Sequence, residues 1–570
     1  MMVIKRLRLL PSRLPLRMLP SLFRRRSDVS EEKIEKVLKI LKDDDVPKTL
    51  EEATEKYPYL AEYIRKLQNK PRYIVGLDLE LRMGEEANII YPLGKGIFAH
   101  IVTGRDGGKY IIIEPPKPSP EILSKVEASI ARLIDEKPSN KPPLEELANL
   151  YVLARRKGLL KVRSEEEEYI LYHFLRDKVG YGFLEGFLAD PYLEDISIPG
   201  AGNIFVYHRV FGSLETNIQI TKEDIDKVLR SIAERFGKIL SYSNPIIDIH
   251  LPDGSRFNIV FGEDISLHGS NFTIRKFAKE PISVAHLIRW GTLSAEVAAY
   301  LWMLIEVGVS GLICGETASG KTTTLNALTA FIRHDAKIVS IEETPEVNLF
   351  HKNWVREVTR LHTGSPVTMF DLLKAALRQR PDYIIVGEIR GEEGRIAFQA
   401  IETGHPVLST MHAGNIEQLI QRLTSDPINV PKTHIDSLNL VIFQARIERG
   451  GKLLRRVLTV NEIVGYDPSE DRIVFLPTFI YDPDRDTQNF MGMSYLLENL
   501  VLQYRGWGRD KLPELYRELN MRKEILNYLA KKRPRYVDVF KTVIEVNRRG
   551  VEAVYRSIKE DKTPWLDEST

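Results

Sequence analysis

The sequence predicts an α/β protein in which a doubly wound parallel sheet follows a mixed α+β region. An apolar run, Val307–Cys314, stops at a glycine, and a helical pattern then extends from Thr323 to Ile332; this succession is expected of a strand, a turn and a helix. Further short apolar runs alternate with helical patterns after it. Between Arg72 and Pro115, short alternating runs and hairpin turns predict an earlier, separate sheet.

Length and composition exclude several classes of protein. With 570 residues the chain has room for about two to four domains. Its 81 basic and 79 acidic side chains leave a net charge of +2, which argues against a chain devoted to coating nucleic acid. The single cysteine, Cys314, excludes a disulfide framework and a four-cysteine zinc module, so we expect a cytoplasmic protein. Every apolar run of about 18 residues is interrupted by a charge, and we predict no transmembrane span.

The patterns along the chain predict four regions. They are a basic amphipathic tail over 1–29, an α+β domain over 30–280 with an internal boundary near 115–140, the parallel-sheet domain over 281–480, and a C-terminal helical region over 481–570. The first 26 residues carry eight basic and no acidic side chains. This tail either lies on an anionic membrane surface or is solvated, since its prolines weaken any continuous helix.

The glycine-rich turn after the first apolar run, residues 315–322, predicts a phosphate-binding loop, called the phosphate loop below. Gly315 and Gly320 permit a backbone in which successive N–H groups point inward, at the positive end of a helix. Lys321 would then meet the terminal phosphates, and the Thr322 hydroxyl would bind Mg²⁺. The other residues expected to contact the nucleotide are Glu316, Thr317, Ala318, Ser319 and Thr323. The alternative is a plain glycine-rich turn before a lysine, which the flanking strand and helix disfavour.

Acidic residues close the next two predicted strands. Glu342, Glu343 and Glu346 follow the first of them, and Glu388 ends the second. Because ligands gather at the carboxyl ends of parallel strands, these acids are expected to face the phosphate loop. Glu388 would serve the metal or the attacking water. The three clustered glutamates could instead form a solvated acidic turn.

Two histidines and two arginines are further candidates. His405 and His412 bracket a fourth apolar strand, and without acids at ligand spacing they do not indicate zinc. Their place at a strand end suggests phosphate sensing. Arg256 and Arg275 lie on predicted strands of the α+β domain, where two arginines alone are most often surface charges.

Taken together, these motifs resemble the secretion superfamily of traffic ATPases that drive type II secretion, type IV pili, archaella and type IV secretion. The resemblance runs from about Tyr91 to Asp482 and rests on motifs in the family order. They are Gly315–Thr322, the family's acidic box Ile341–Glu346, Leu377–Arg390 and Thr403–His412. Gly180–Ile198 and Leu251–Phe257 look like the N-terminal domain of archaeal pilus and archaellum motors. The lack of a four-cysteine zinc insert, common in the bacterial pilus and type II motors, also favours the archaeal branch.

The resemblance implies a RecA-like ATPase domain, a mobile N-terminal domain and a homohexameric ring that binds ATP and Mg²⁺ at the cleft between them. It also implies a role for each matching residue. Lys321 and Thr322 bind phosphate and Mg²⁺, and Glu388 is the second-motif acid. Glu346 with Glu342 and Glu343 polarises the water. His405 and His412 contact the γ-phosphate, and Arg256 and Arg275 close onto the phosphates. Two positions depart from the family pattern, because Glu343 and Gly391 stand where Asp is usual. The first departure leaves the choice of general base among the three glutamates open.

The function implied by the resemblance is a Mg²⁺-dependent ATPase motor. Such a ring would push on a polytopic membrane platform protein to assemble or export pilin-like subunits, held peripherally at the anionic membrane by its N-terminal tail. A DNA-transfer ATPase of the same superfamily is the alternative, opposed by the near-neutral charge and the lack of a basic, aromatic-interleaved groove. A nucleotide-gated scaffold without turnover is a third hypothesis.

Overall fold

The computed structural model describes residues 46–77, 86–104, 107–134, 143–163, 166–277, 280–360, 365–450 and 452–567. The chain divides after Phe277 into two compact units. The predicted amphipathic tail, residues 1–29, lies outside the described residues. In the ranges given above, no helix combines the length and the apolar character that crossing a membrane requires.

The first unit is built on a mixed β-sheet. Its strands are β1 Arg72–Tyr73, β2 Asn88–Gly94, β3 Ile97–Gly104, β4 Gly107–Ile113, β5 Leu193–Ile198, β6 Gly202–His208, β7 Gly212–Ile220, β8 Ile246–His250, β9 Arg256–Val260 and β10 Asn271–Arg275. Their spatial order is β1-β2-β3-β4-β7-β6-β5-β10-β9-β8. β1 pairs with β2, and β4 with β7, in parallel, whereas β5, β8, β9 and β10 form antiparallel pairs with their neighbours.

Helices cover this sheet and also form a small bundle. They are α1 Leu50–Lys56, α2 Pro58–Arg65, α3 Pro120–Ile134, α4 Pro143–Arg156, α5 Glu167–Lys178, α6 Glu185–Ala189 and α7 Lys222–Arg235. Leu229 of α7 and Phe257 of β9 belong to the core beneath the sheet. Tyr151 of α4 and Phe174 of α5 belong to a separate core that the bundle α3–α5 encloses. The first unit is therefore a mixed α+β domain, as predicted.

The second unit contains a sheet with a parallel centre. Its strands are β11 Gly311–Cys314, β12 Ile338–Glu342, β13 Trp354–Val358, β14 Tyr383–Val386, β15 Val407–Met411, β16 Leu440–Arg449, β17 Lys452–Asp467, β18 Arg472–Asp482 and β19 Thr487–Phe490. Their order is β13-β12-β14-β15-β11-β16-β17-β18-β19. The strands from β13 to β16 pair in parallel, and those from β16 to β19 pair antiparallel. β15 separates β11 from β14, which is the order of a RecA-like domain, so the predicted fold class is confirmed.

The helices of the second unit include the C-terminal part of the chain. They are α8 Val284–Arg289, α9 Ala295–Glu306, α10 Lys321–Leu328, α11 Met369–Leu377, α12 Glu393–Glu402, α13 Ile416–Thr424, α14 Lys432–Ile435, α15 Leu502–Tyr504, α16 Leu512–Lys532, α17 Tyr536–Arg549, α18 Val551–Lys559 and α19 Pro564–Asp567, with a π-helix at Leu496–Val501. Trp302 of α9 and Leu526 of α16 share one core. The region 481–570 thus packs onto the sheet domain. Its first residues complete β18 and form β19, which pairs with β18, and its helices follow.

Candidate active site

The carboxyl ends of four parallel strands meet at one edge of the second sheet. β12 pairs with β14, β14 with β15, and β15 with β11. The segments that leave these ends lie side by side because the strands are parallel neighbours. Across the edge they carry, in order, Glu342, Glu388, His412 and the phosphate loop with Lys321.

The phosphate loop turns sharply between β11 and α10. Gly320, the N-cap of α10, has a φ of 95°, and Ala318 has a φ of 62°. The ammonium of Lys321 donates to the Glu316 carbonyl at 3.0 Å, and this lysine is 7% exposed. The first N–H groups of α10 have no partner within the helix. The loop therefore presents a cation and helix-terminal N–H donors together, which is the arrangement that binds anions.

The crest of the loop is open to solvent. Glu316, Thr317 and Ala318 are exposed, whereas Thr322 and Thr323 in the first turn of α10 are half-buried. The residues predicted to contact a nucleotide are thus accessible, and the two threonines lie at the helix end where phosphate is expected.

A row of polar and charged groups links Lys321 to the end of β14. The ammonium of Lys321 is 3.5 Å from Nε2 of His412, and this nitrogen is 3.1 Å from Oε1 of Glu388. Arg390 donates from Nη2 to the other oxygen of Glu388 at 2.6 Å. Burial lowers the pKa of Lys321, and the Glu388 carboxylate opposes this effect. Burial likewise lowers the pKa of His412, so a neutral imidazole is favoured there.

The first residue of the acidic turn, residues 342–346, is buried and accepts hydrogen bonds from the backbone of that turn. Glu342 is 1% exposed, and its Oε1 accepts the N–H groups of Glu346 and Val347, both at 2.7 Å. Burial raises the pKa of Glu342 to about 7. One oxygen of Glu342 is thus committed to the backbone of the turn, whereas Oε2 has no hydrogen-bond partner among the described residues, and a part for Glu342 in polarising the water stays a prediction.

The other two glutamates of the acidic turn are exposed. Glu343 and Glu346 face solvent, and the charge of Glu346 tends to raise the pKa of Lys321. Asn326 of α10 fixes the end of the turn, since its Nδ2 donates to the Glu346 carbonyl at 2.8 Å and its Oδ1 accepts the Asn348 N–H at 3.0 Å. One helix therefore carries both the phosphate-loop lysine and the residue that holds the glutamate-bearing turn.

His405 does not join this edge of the sheet. It precedes β15, Val407–Met411, whereas His412 follows it. In an extended strand this separation corresponds to about 20 Å. The prediction that both histidines contact one γ-phosphate is therefore wrong for the site of a single chain. Because β15 lies between them, the two histidines are at opposite ends of that strand.

Arg256 and Arg275 lie in the first unit, opposite each other on the neighbouring antiparallel strands β9 and β10. Nε of Arg256 is 3.2 Å from Asp248, and Nε of Arg275 is 3.4 Å from Asp195. The side chains are 42% and 64% exposed. The structure thus pairs the two predicted arginines on one face of the sheet, and their action on phosphates stays a prediction.

The donor chemistry at the edge fits Mg²⁺. Thr322 and Glu388 offer a hydroxyl and a carboxylate, which are hard oxygen ligands. Among the described residues, no group of three or more histidine, cysteine or acidic side chains forms a metal cage. Mg²⁺ is typically held by one or two protein oxygens together with phosphates and water rather than by such a cage.

Sequence reasoning missed Asn326, although a signal was present. Asn326 occupies an apolar helical pattern directly after the phosphate loop and is only 8% exposed. A buried amide needs hydrogen-bond partners. Because Asn326 lies five residues after Lys321 on the same helix, these partners are expected in a segment that follows the end of a neighbouring strand.

A family model described as "Type II/IV secretion system protein" matches residues 177–453. An uncharacterized protein of Methanocaldococcus jannaschii is 44% identical over 511 residues, which cover 84% of this chain and 92% of that relative. The conjugal transfer protein TrbB of Rhizobium radiobacter is 30% identical over 289 residues, covering 49% of this chain and 86% of TrbB. Among solved structures, the ATPase DotB of Legionella pneumophila aligns with a TM-score of 0.37 at 18% identity, over 68% of this chain and 96% of DotB.

Proposed function

The chain belongs to the type II/IV secretion system protein family, and we propose that it hydrolyses ATP at the carboxyl edge of the second sheet. One observation carries the proposal. Lys321 of the phosphate loop is joined through His412 to Glu388, with 3.5 Å and 3.1 Å between successive groups. Phosphate binding and activation of a water molecule require these groups at one place.

The geometry supports separate roles for the residues that bind phosphate, hold Mg²⁺ and orient water. Lys321 and the N–H groups at the start of α10 bind the triphosphate, and Thr322 and Glu388 hold Mg²⁺, which would neutralise charge on the phosphate oxygens when bound. The attacking water is oriented by Glu388 or by an exposed glutamate of the acidic turn, Glu343 or Glu346. Bringing water and phosphate into line is the main contribution of this site.

Phosphate release from the purified full-length chain tests the site. Lys321→Ala should abolish release by removing the cation that meets the phosphates, and Glu388→Ala should abolish it by removing the acid next to them. Lys374→Ala and Glu417→Gln are controls, because Lys374 lies over the Phe370 ring on α11 and Glu417 is exposed on α13. Full activity in both site variants would contradict the assignment.

We further propose that the chain works as a homohexameric motor. Membership of the secretion family supports a role in which ATP turnover moves a membrane platform protein and so assembles or exports pilin-like subunits. Light scattering with and without ATP tests the ring, and co-purification with a platform protein tests the partner. A chain that stays monomeric with ATP, whatever its concentration, would contradict the ring.

The N-terminal tail is proposed to hold the protein at the cytoplasmic face of an anionic membrane. The excess of basic over acidic residues before position 27 supports this. Flotation with vesicles that contain anionic lipid should be lost when residues 1–26 are deleted, while ATP hydrolysis remains. Equal flotation of both proteins would remove the proposal.

The similarity to a protein named for conjugal transfer supports a second candidate, a DNA-transfer ATPase. Such an enzyme should bind DNA in a salt-dependent manner and hydrolyse ATP faster when DNA is present. Hydrolysis that DNA does not stimulate, together with stimulation by the platform protein, would favour the filament motor.

A further inference from the structure

Gln444 lies against the phosphate loop on the side of the neighbouring strand. β16 runs parallel to β11, with Phe443 opposite Cys314, so Gln444 comes level with the first residue of the loop. At the same point the pairing of β16 with β17 slips by one residue. Such bulges re-aim side chains and are common next to active sites. Gln444 is not among the residues that the sequence predicts for the site.

The side-chain amide of Gln444 binds two groups of the loop and its helix. Its Nε2 donates to the Ser319 carbonyl at 2.7 Å, and its Oε1 accepts the Thr324 hydroxyl at 2.7 Å. Gln444 is 2% exposed. Because the Ser319 carbonyl can only accept, the NH₂ group must face it, and the orientation of the amide is fixed.

Both glycines of the phosphate loop pack against this glutamine. A Cβ atom at Gly315 would overlap the Gln444 carbonyl oxygen, and a Cβ atom at Gly320 would lie 2.9 Å from its Nε2. The short distance from Gly320 to Nε2 leaves room only for a glycine at this position. Gly320 is also the N-cap of α10, where φ is 95°. The loop therefore closes onto Gln444 at its first and last glycine.

The bond to Ser319 also determines where the next N–H group points. In a planar trans peptide the C=O and N–H bonds are antiparallel. With the Ser319 carbonyl turned toward Gln444, the Gly320 N–H points away from β16, into the loop. Arg455 of β17 holds the preceding carbonyl in a similar way, since its Nε donates to the Ala318 oxygen at 3.1 Å.

We propose that Gln444 is a positioning residue for phosphate binding, which holds the peptide between Ser319 and Gly320 so that the Gly320 N–H faces the phosphates. This role rests on the proposed ATP hydrolysis. Gln444 itself bonds to Ser319 of the loop and to Thr324 of α10, and its proposed action on the phosphates is indirect. Its loss is expected to weaken substrate binding, because a donor aimed at the triphosphate would no longer be held in place.

The test compares KM for ATP, kcat and Tm in the full-length chain. Gln444→Met keeps the volume but removes both hydrogen bonds, and Thr324→Val removes only the bond to Oε1. Thr324→Ser retains that hydroxyl and serves as the conservative rescue. Gln488→Met is the matched control, because Gln488 is also buried and its Nε2 donates to the carbonyls of Thr292 and Val457, neither of which belongs to the phosphate loop.

We expect Gln444→Met to raise KM by about tenfold or more, with a smaller effect on kcat, as loss of a held binding group predicts. Thr324→Val should raise KM in the same direction, whereas Thr324→Ser and Gln488→Met should leave it unchanged even where Tm falls. An unchanged KM in Gln444→Met at a lowered Tm would overturn the proposal. If Gln444→Met does not fold, an unchanged KM in Thr324→Val overturns it equally. A wild-type chain without hydrolysis would instead contradict the proposed function.

Discussion

The Nε2 atom of His412 lies 3.1 Å from Oε1 of Glu388. The same nitrogen is 3.5 Å from the ammonium of Lys321, so a carboxylate stands on one side of the ring and a cation on the other. A single ring nitrogen cannot donate to the carboxylate and accept from the ammonium at the same time. The protonation state of His412 and, in the neutral ring, its tautomer therefore decide which neighbour Nε2 binds.

Acidification should reduce hydrolysis through His412. Burial lowers the pKa of this histidine below its ordinary value of 6.5, so the ring is neutral at pH 7 and gains a proton only in more acidic solution. The protonated ring donates to Glu388 and adds positive charge beside Lys321. We expect kcat at saturating ATP to fall as the pH drops below the range of an ordinary histidine, and His412→Gln to have a lower kcat, by about tenfold or more, without that decline.

A decline with the same midpoint in His412→Gln would contradict this prediction. The titration would then belong to another group of the site. The folded state must be intact across the pH range in both proteins, which far-UV circular dichroism at each pH checks.

Removing the amide of Asn326 should slow turnover more than it weakens ATP binding. Asn326→Leu loses the bonds to the Glu346 carbonyl and the Asn348 N–H, so the acidic turn is no longer tied to α10. We expect a loss of kcat of about 10- to 100-fold, because misplacement of a group near the reacting atoms is enough to produce it. Binding of a fluorescent ATP analogue should change little, since the phosphate loop is unaltered.

Asn461→Leu is the control for the loss of stability. Asn461 is also buried, and its Nδ2 donates to Thr459 on β17, away from the acidic turn. Both variants should lower Tm, but only Asn326→Leu should reduce kcat. Equal kcat values in the two variants would show that Asn326 acts only on stability.

The phosphate loop and the acids at strand ends could be predicted from the sequence because local pattern determines them. A glycine-rich turn between a strand and a helix, and an apolar run that ends in an acid, are contiguous features. The α/β class followed from the same alternation. The contact of Gln444 with Ser319, 125 residues away, could not be predicted, since it depends on the pairing of β16 with β11, which no local sequence pattern reveals.

Sequence proximity does not fix the direction in which a side chain points. His405 and His412 are close in sequence, but the strand between them carries them to opposite edges of the sheet. Glu342 begins the turn that carries two exposed glutamates, yet it is buried and its Oε1 accepts two backbone N–H groups of that turn. Which of the three clustered glutamates faces solvent depends on the residue at which β12 ends. The end of an element is the least certain feature of a prediction from sequence.

Glu342 should make the second unit less stable as the pH rises. Its pKa in the folded state is raised to about 7 from an ordinary value of 4.5. Between these values the folded state binds more protons than the unfolded state, so the stability it contributes is complete below pH 4.5 and is lost as the pH rises through about 7. The loss is on the order of 3 kcal/mol. Glu342→Gln, which stays neutral, should therefore raise Tm at about pH 8 and change it little at about pH 5.

The same variant tests whether Glu342 is a catalytic base. The amide oxygen of Gln can still accept the N–H groups of Glu346 and Val347, so the acidic turn should keep its shape and hydrolysis should be largely retained. Glu346→Gln and Glu343→Gln, measured beside it, identify which exposed glutamate orients the water. Abolished hydrolysis in Glu342→Gln at an unchanged or raised Tm would instead identify Glu342 as a water-polarising residue.

Arg256 and Arg275 should act on turnover and hardly at all on stability. Each forms an ion pair with one carboxylate, Asp248 or Asp195, and such exposed pairs contribute about 1 kcal/mol or less to folding. If the arginines contact the phosphates during turnover, removing either should lower kcat by about 10³-fold, as for arginine fingers. Steady-state phosphate release and Tm of Arg256→Ala and Arg275→Ala measure both effects. Replacing Arg132, an exposed arginine on α3, by Ala should change neither quantity.

Asp195→Asn separates an effect of the ion pair from an effect of the arginine on phosphate, because it breaks the pair with Arg275 but keeps the arginine. If this variant loses as much kcat as Arg275→Ala, the ion pair matters and not the arginine's action on phosphate.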